Sequence, residues 1–394
     1  MHNIVILGGN FAGVGAAHYI LRHVVPSLNS SEKLQYKVTL ISPSDHTFFK
    51  IGAPRALVSN ELIPLDKPFA SIPDAFSDYN TSEFTFIHGK AVAVDEESKI
   101  VSVDSASTQT SVQYDLLVIA TGTTSSPLWT LNGDYTLTRA AFEDLHRRIA
   151  RAEKILIAGG GAAGVETAGE IANLHKGKNI TILSGSFRLL PKLKNVKAGR
   201  SAERQLESQG VKTIHNTKVT SSTTLPDGKT SLLLSDGTTE IVDVFIDATG
   251  GTPNTSFLPD HWLDENKRVA TEPSTLRATK APAGIYSIGD VASYSKGSAM
   301  DSLWPVPALG YSIWADLIKS ANEDGLPVGK PILKEKIYKQ IEADMQIVPI
   351  GPMGGVGVIF GWSVPSWLVW LVKSRTFMMD KSAGLATGAQ FLKP

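Results

Sequence analysis

Residues 4–7 are apolar without a break and run straight into a pair of glycines, after which small and apolar residues recur at helical spacing through FAGVGAAHYILRHVV. A short apolar run stopped by a turn signal predicts a buried strand, and the spacing after it predicts a helix packed on that strand. Residues 36–41, YKVTLI, read as a second strand, and the mostly polar stretch 27–35 reads as the connecting loop. The opening is therefore a βαβ unit. Two β-rich runs between 84 and 103, separated by 95–98, predict a hairpin or meander. YDLLVIATG at 114–122 predicts a further buried strand that ends at a glycine turn.

The same grammar then repeats. KILIAGGGAAGVETAGEIANL, from Lys154, is strand, glycine turn and helix; 179–183 is the next strand; VDVFIDATGGTPNT at 242–255 echoes 114–122. GIYSIGDVA at 284–292 reads as the return of the chain to the first unit, and residues from about 331 onward form a third, apolar region. The expected domains are 1–125 together with 256–328 for the first unit, 126–255 for a second unit inserted within it, and 329–394 at the C-terminus. A chain of 394 residues has room for two to three domains.

The glycine turns carry the candidate chemistry. Gly159, Gly161 and Gly164 fit G-x-G-x-x-G between a strand and a helix, with Ala162 and Ala163 in the turn and Ala168 allowing close packing. The first glycine makes the turn, the second lets backbone approach a pyrophosphate, and the third lets helix and strand touch, with the helix N-terminus supplying partial positive charge. The first turn reads Gly8, Gly9, Asn10, Phe11, Ala12, Gly13, with Asn10 where the second motif glycine belongs. Asn tolerates left-handed backbone, and its amide is itself a phosphate donor. These features predict an α/β chain with two Rossmann-like dinucleotide-binding domains and a smaller C-terminal α+β domain.

At the end of each unit's second strand, where a carboxylate would hold ribose hydroxyls, stand Ser42 and Ser184. Asp45 either reaches the ribose in the first unit or caps a turn. In the second, the missing carboxylate and the nearby Arg188 favour NADPH over NADH. Glu166 and Glu170, four apart, share a helix face. Glu166 either answers the helix dipole or touches the nicotinamide or flavin edge.

Composition narrows the classes. Lysine plus arginine equals aspartate plus glutamate at 38 each, which removes the footprint of a nucleic-acid binder. The absence of cysteine rules out disulfide scaffolds, thiolate-held metals and a thiol relay; no metal site is expected. The N-terminus lacks the basic segment and longer apolar stretch of a secretory signal, and position 2 is His, so the chain is read as intracellular and cytoplasmic. Residues 345–372 hold no charge, but three prolines and five glycines argue against one spanning helix. With Trp362, Trp367 and Trp370 ahead of Lys373 and Arg375, the segment reads as interior packing, a peripheral membrane contact or the entrance for an apolar substrate. Oligomeric state is left open.

The ordered motifs, the glycine turn at 8–13, ATG at 120–122, GGGAAGVETAGE at 159–170, ATGGTPNT at 248–255 and IGD at 288–290, resemble the flavoproteins with two dinucleotide-binding domains and a glutathione-reductase-like architecture. Within them the chain is similar to apoptosis-inducing-factor-like and ferroptosis-suppressor-like oxidoreductases of fungal type, down to LVKSRTF at 371–377, which departs from the family element at Thr376. The resemblance implies FAD in the first unit at Gly8, Gly13, Ala120, Thr121, Gly122, Gly289 and Asp290, with the backbone of Ala91 and Val92 at the adenine. It further implies that Arg55 lies near the flavin, and that Gly250, Val306 and Pro307 belong to the cofactor sites. Glu166 would stand at the nicotinamide–flavin junction, Lys373 would support activity, and electrons would pass from NADPH or NADH through FAD to a quinone-like acceptor. Two other readings compete: a specialised-metabolism flavoenzyme acting on a quinonoid or polycyclic product, and a redox-sensing binding protein with slow turnover.

Overall fold

The computed structural model describes residues 2–28, 35–106, 108–323 and 333–394. The N-terminal apolar run is the strand His2–Leu7, central in a five-stranded parallel sheet ordered Ile285–Ser287, Leu116–Ile119, His2–Leu7, Tyr36–Ser42, Phe84–His88. His2 stands opposite Tyr36 and Leu7 opposite Ile41, while Ile4 to Leu7 pair with Leu116 to Ile119 on the other edge. Ile4 and Ile6 face a core with the helices Phe11–Tyr19 and Val306–Glu323; Val5 and Leu7 face one with Val101, Val103 and Trp262. Both faces are covered, which is why this strand is apolar without alternation. The segment 84–103 is strand Phe84–His88 followed by an antiparallel meander, Lys90–Asp95, Ile100–Asp104 and Gln109–Gln113. Ile285–Ser287 pairs with Leu116–Ile119, so the chain does return to the first sheet.

The loop expected over 27–35 begins later than expected: Ser27 and Leu28 close a short helix, Val25–Leu28, and 29–34 lie outside the described residues. The second unit is a four-stranded parallel sheet in the order Lys212–Ile214, Asn179–Leu183, Lys154–Ala158, Val244–Asp247, with its own antiparallel meander. Thr123–Thr124 pairs with Thr252–Pro253 and ties the two units together. The fold is thus mixed α/β, built on two parallel sheets of Rossmann type.

After 333 the chain forms an antiparallel sheet of Gln346–Pro349, Gly355–Ile359 and Trp362–Val364, then the short helix Ser366–Val369 and a wider π turn, Trp370–Ser374. Among the described residues no helix is long and apolar enough to cross a membrane. Gly169 faces this sheet, where a Cβ would stand 2.9 Å from Gly351 N, so the second unit's glycine-turn helix lies directly on the C-terminal region.

Candidate functional site

Strand His2–Leu7 ends at Gly8, whose φ of +112° is a backbone that side chains with a Cβ rarely adopt. A Cβ there would be 2.4 Å from Ala120 O; at Gly9 it would meet Ser42 Oγ at 2.6 Å, and at Gly13 the Gly8 carbonyl at 1.8 Å. The three glycines let the turn close on two neighbouring strands and on its own helix. That helix, Phe11–Tyr19, has no capping side chain and no acid in its first turn, so its positive end faces the space ahead. Asn10 Oδ1 accepts the Phe48 N–H at 3.2 Å, which fixes the amide that replaces the motif glycine.

The space ahead is a cavity of about 340 Å³. Gly8, Gly9, Asn10, Phe11, Ala12 and Ser42 form one part of its wall; Ala120, Thr121, Gly122, Gly289 and Asp290 another; Ala91 and Val92 a third. Asp290 is paired with Lys50 (Nζ to Oδ2, 2.9 Å), and Ser295 Oγ donates to Oδ1 at 3.1 Å. Burial pushes the Asp290 carboxyl up, but the Lys50 ammonium, the Ser295 hydroxyl and Arg268 outweigh it and hold its pKa below the ordinary value. An uncapped helix start, a floor without Cβ atoms and a lysine on the wall suit a diphosphate, so the residues present fit FAD.

The second turn repeats this geometry. A Cβ on Gly159 (φ +123°) would be 2.4 Å from Ala248 O, on Gly160 2.6 Å from Ser184 Oγ, and on Gly164 1.9 Å from Gly159 O. Gly161 and Gly250 differ, since a Cβ on either meets nothing within 4 Å; the space beside them is open. Ala162 and Ala163 start the helix Ala162–Leu174, again with no capping side chain and no acid in its first turn. This turn fits the pyrophosphate of NAD(P)H.

The equivalent contacts explain the two serines. Each is buried against a glycine of its turn and serves the loop that follows: Ser42 Oγ accepts from Ser44 N at 3.2 Å, and Ser184 Oγ donates to Arg188 O at 2.8 Å. Asp45 pairs with His46 (2.7 Å) and does not line the cavity. Arg188 Nη2 donates to the carbonyls of Pro191 and Leu193, whereas Nε and Nη1 are buried without a protein partner among the described residues.

Glu166 and Glu170 do share a face, and both are buried. Each meets a cation from elsewhere in the chain. Lys373 Nζ lies 2.5 Å from Glu166 Oε1; Arg55 grips Glu170 with Nε to Oε2 at 2.7 Å and Nη2 to Oε1 at 2.9 Å, and donates through Nη1 to Ser374 O at 2.8 Å. The Phe377 ring receives Arg55 at 4.5 Å and Lys373 at 5.6 Å. Four charges leave water together, each with a partner, as buried charges require. Burial pushes the Glu166 carboxyl up to about 7 and Glu170 adds to the rise, while Lys373 and Arg55 pull it back.

Arg55 therefore lies in this charge cluster and not on the cavity wall, because a bidentate carboxylate holds it there. Gly13 sits behind the wall, against Gly8 O. Val306 and Pro307 begin the helix Val306–Glu323 outside the wall, Val306 being core packing beside Gly15. Sequence reasoning missed Lys50, Lys90 and residues 130–133, which line the cavity. Lys50 stands five residues before Arg55, and a charge inside the otherwise apolar start of FFKIGAPRAL was a usable signal; 130–133 belong to a connection with no motif at all.

The sequence profile of the family described as pyridine nucleotide-disulphide oxidoreductase matches residues 2–309. The chain belongs to this family. Its members are oxidoreductases that use FAD and NAD(P)H, and those are the cofactors of this flavoenzyme fold. The chain is 36% identical over 413 residues to oxidoreductase phnG of Penicillium herquei, covering 99% of this chain and 97% of that one. It is 26% identical over 390 residues to ferroptosis suppressor protein 1 of Xenopus tropicalis, covering 96% and 94%. In fold it is similar to the sulfide:quinone oxidoreductase of Aquifex aeolicus, with a TM-score of 0.71 over 98% of this chain and 92% of that one at 15% identity. The family's dithiol chemistry has no counterpart here, since the chain has no cysteine.

Proposed function

We propose that this NAD(P)H-dependent flavin oxidoreductase delivers its electrons to a quinone-type acceptor. The observation that carries the reading is the Glu166–Lys373 pair, a buried carboxyl met by a partly buried ammonium where the second unit's glycine-turn helix meets the apolar C-terminal region. Relatives named for ferroptosis suppression and a fold neighbour named for sulfide and quinone support it.

The chemistry that bound FAD would supply is acceptance of hydride from the nicotinamide and release of electrons to the acceptor. The chain's own residues do the rest. The first turn and its uncapped helix hold the FAD diphosphate; Lys50 neutralises Asp290 so that the wall does not repel it. The second turn holds the nucleotide, with Gly161 and Gly250 leaving it room. Arg188 follows the second strand of this unit closely and Ser184 sets no carboxylate against a 2′-phosphate, so NADPH is preferred over NADH. A quinone reduced by two electrons takes up two protons, of which hydride brings one. The Glu166 carboxyl, which titrates near neutral pH, supplies the other, and the Lys373 ammonium, donating to Oε1, stabilises the carboxylate left behind.

Oxidation of NADPH and of NADH by the FAD-loaded protein, followed with a water-soluble quinone, tests this. Turnover with a higher kcat/KM for NADPH is expected. Flavin reduction without electron transfer to any quinone would remove the acceptor assignment.

A further inference from the structure

The C-terminal sheet and the helix after it present an apolar surface to solvent. Met353 is 81% exposed, Phe360 61%, Trp362 80% and Trp367 64%, and Trp370 and Leu371 are exposed as well. Trp367, Trp370 and Leu371 are spaced three and four apart, which puts them on one helical face, while Val369 and Ser374 form the buried side. An exposed apolar stretch of this kind on a polar chain marks a contact surface.

Its surroundings are basic. From residue 345 to residue 379 there is no acidic side chain. Exposed Arg375 lies over the Trp370 ring at 5.8 Å. Asn195, bonded through Nδ2 to Gly361 O and Ser363 Oγ, brings the start of helix Val196–Ser208 to the edge of the patch, with exposed Lys194, Lys197 and Arg200. Among the described residues none of these four cations is ion-paired with a carboxylate. Acids bordering these residues along the chain are engaged: Glu203 pairs with His215, Asp344 accepts the Asn195 N–H, Glu342 pairs with Lys296, and Asp380 accepts the Thr376 hydroxyl.

We infer that this face docks on a lipid surface carrying anionic headgroups. Indole rings place an apolar body in the acyl boundary and an N–H at the headgroups, and the ring of unpaired Lys and Arg meets the phosphates above. A second copy of the chain fits less well, because an isologous contact through this patch would set eight like charges around one interface. The patch runs directly into Lys373, so docking sets the Glu166–Lys373 region toward the lipid, where an apolar acceptor concentrates. That consequence rests on the quinone reading; the docking does not.

Co-sedimentation of the FAD-loaded full chain with vesicles tests the inference without any turnover. Vesicles of phosphatidylcholine and phosphatidylserine in equal parts should bind the protein, with roughly tenfold weaker binding to phosphatidylcholine alone or in high salt. Trp362→Ser with Trp367→Ser should abolish binding to both compositions, and Lys197→Glu with Arg200→Glu should remove the preference for phosphatidylserine. Both variants should keep the wild-type flavin spectrum and its bleaching by NADPH. Absence of vesicle binding in wild type would overturn the inference. So would a concentration-dependent dimer in sedimentation velocity that the Trp substitutions dissolve, which would assign the face to a second copy.

Discussion

Arg55 and Glu170 are 115 residues apart in sequence and meet through two parallel hydrogen bonds of 2.7 and 2.9 Å, both side chains buried. One comes from the first unit and the other from the second unit's glycine-turn helix, while Arg55 also holds Ser374 O of the C-terminal region. The pair thus fixes three parts of the molecule around Phe377. Arg55→Met strands a buried carboxylate and should cost about 3–5 kcal/mol, and the double variant Arg55→Met with Glu170→Met should recover most of it. Arg55→Lys should lie between, since an ammonium cannot reproduce the two-pronged contact. Denaturant unfolding of the four proteins checks this order.

Glu166 gives a pH prediction with a definite sign. Its carboxyl titrates near 7 in the fold against an ordinary 4.5, so between those values the folded chain holds a proton that the unfolded chain has lost. This group therefore opposes folding increasingly as pH rises from about 4.5 to about 7, with the full effect above that. Glu166→Gln should gain stability relative to wild type as pH rises through this window. The pH profile of reduced-flavin reoxidation by quinone should bend near 7 in wild type, bend at higher pH in Lys373→Met, and lose the bend in Glu166→Gln. Stopped-flow mixing of the NADPH-reduced, FAD-loaded protein with a water-soluble quinone across neutral pH measures it.

Two glycines of one motif should separate folding from binding. A Cβ on Gly164 would sit 1.9 Å from Gly159 O, so Gly164→Ala should lower the melting temperature sharply or prevent folding. A Cβ on Gly161 meets nothing within 4 Å, so Gly161→Ala should melt like wild type while its KM for NADPH rises roughly tenfold or more. Thermal melts and initial rates on the two variants suffice.

Lys50→Met should weaken FAD retention, because it leaves Asp290 without its 2.9 Å partner on the cavity wall and removes a cation facing the diphosphate. A loss of roughly tenfold or more in FAD affinity is expected, read by recovery of flavin fluorescence on dilution. Lys50→Arg should restore much of it.

Both parallel sheets were legible because strands covered on both faces must be apolar throughout, and because Gly8, Gly13, Gly159 and Gly164 occupy positions where a Cβ collides with backbone. The part of the first cavity wall formed by residues 8–12 and 120–122 followed from the same turns. The loop expected from residue 27 misplaced its start, since a polar Ser27 closes a helix by donating to Val24 O. Arg55 was expected at the cavity and lies in the charge cluster, because sequence spacing says nothing of a partner 115 residues away. Lys50 and residues 130–133 reach the cavity only through tertiary packing. Ser42 and Ser184 were read for the acid they replace, whereas each packs its hydroxyl where a Cβ on Gly9 or Gly160 would stand 2.6 Å away.

The most direct test is the anaerobic absorbance spectrum of the purified protein, before and after FAD is supplied and then on addition of NADPH or NADH. A bound flavin band that bleaches with nicotinamide, faster with NADPH, is the predicted result. No flavin bound after FAD is supplied, or a bound band that neither nucleotide bleaches, would contradict the account.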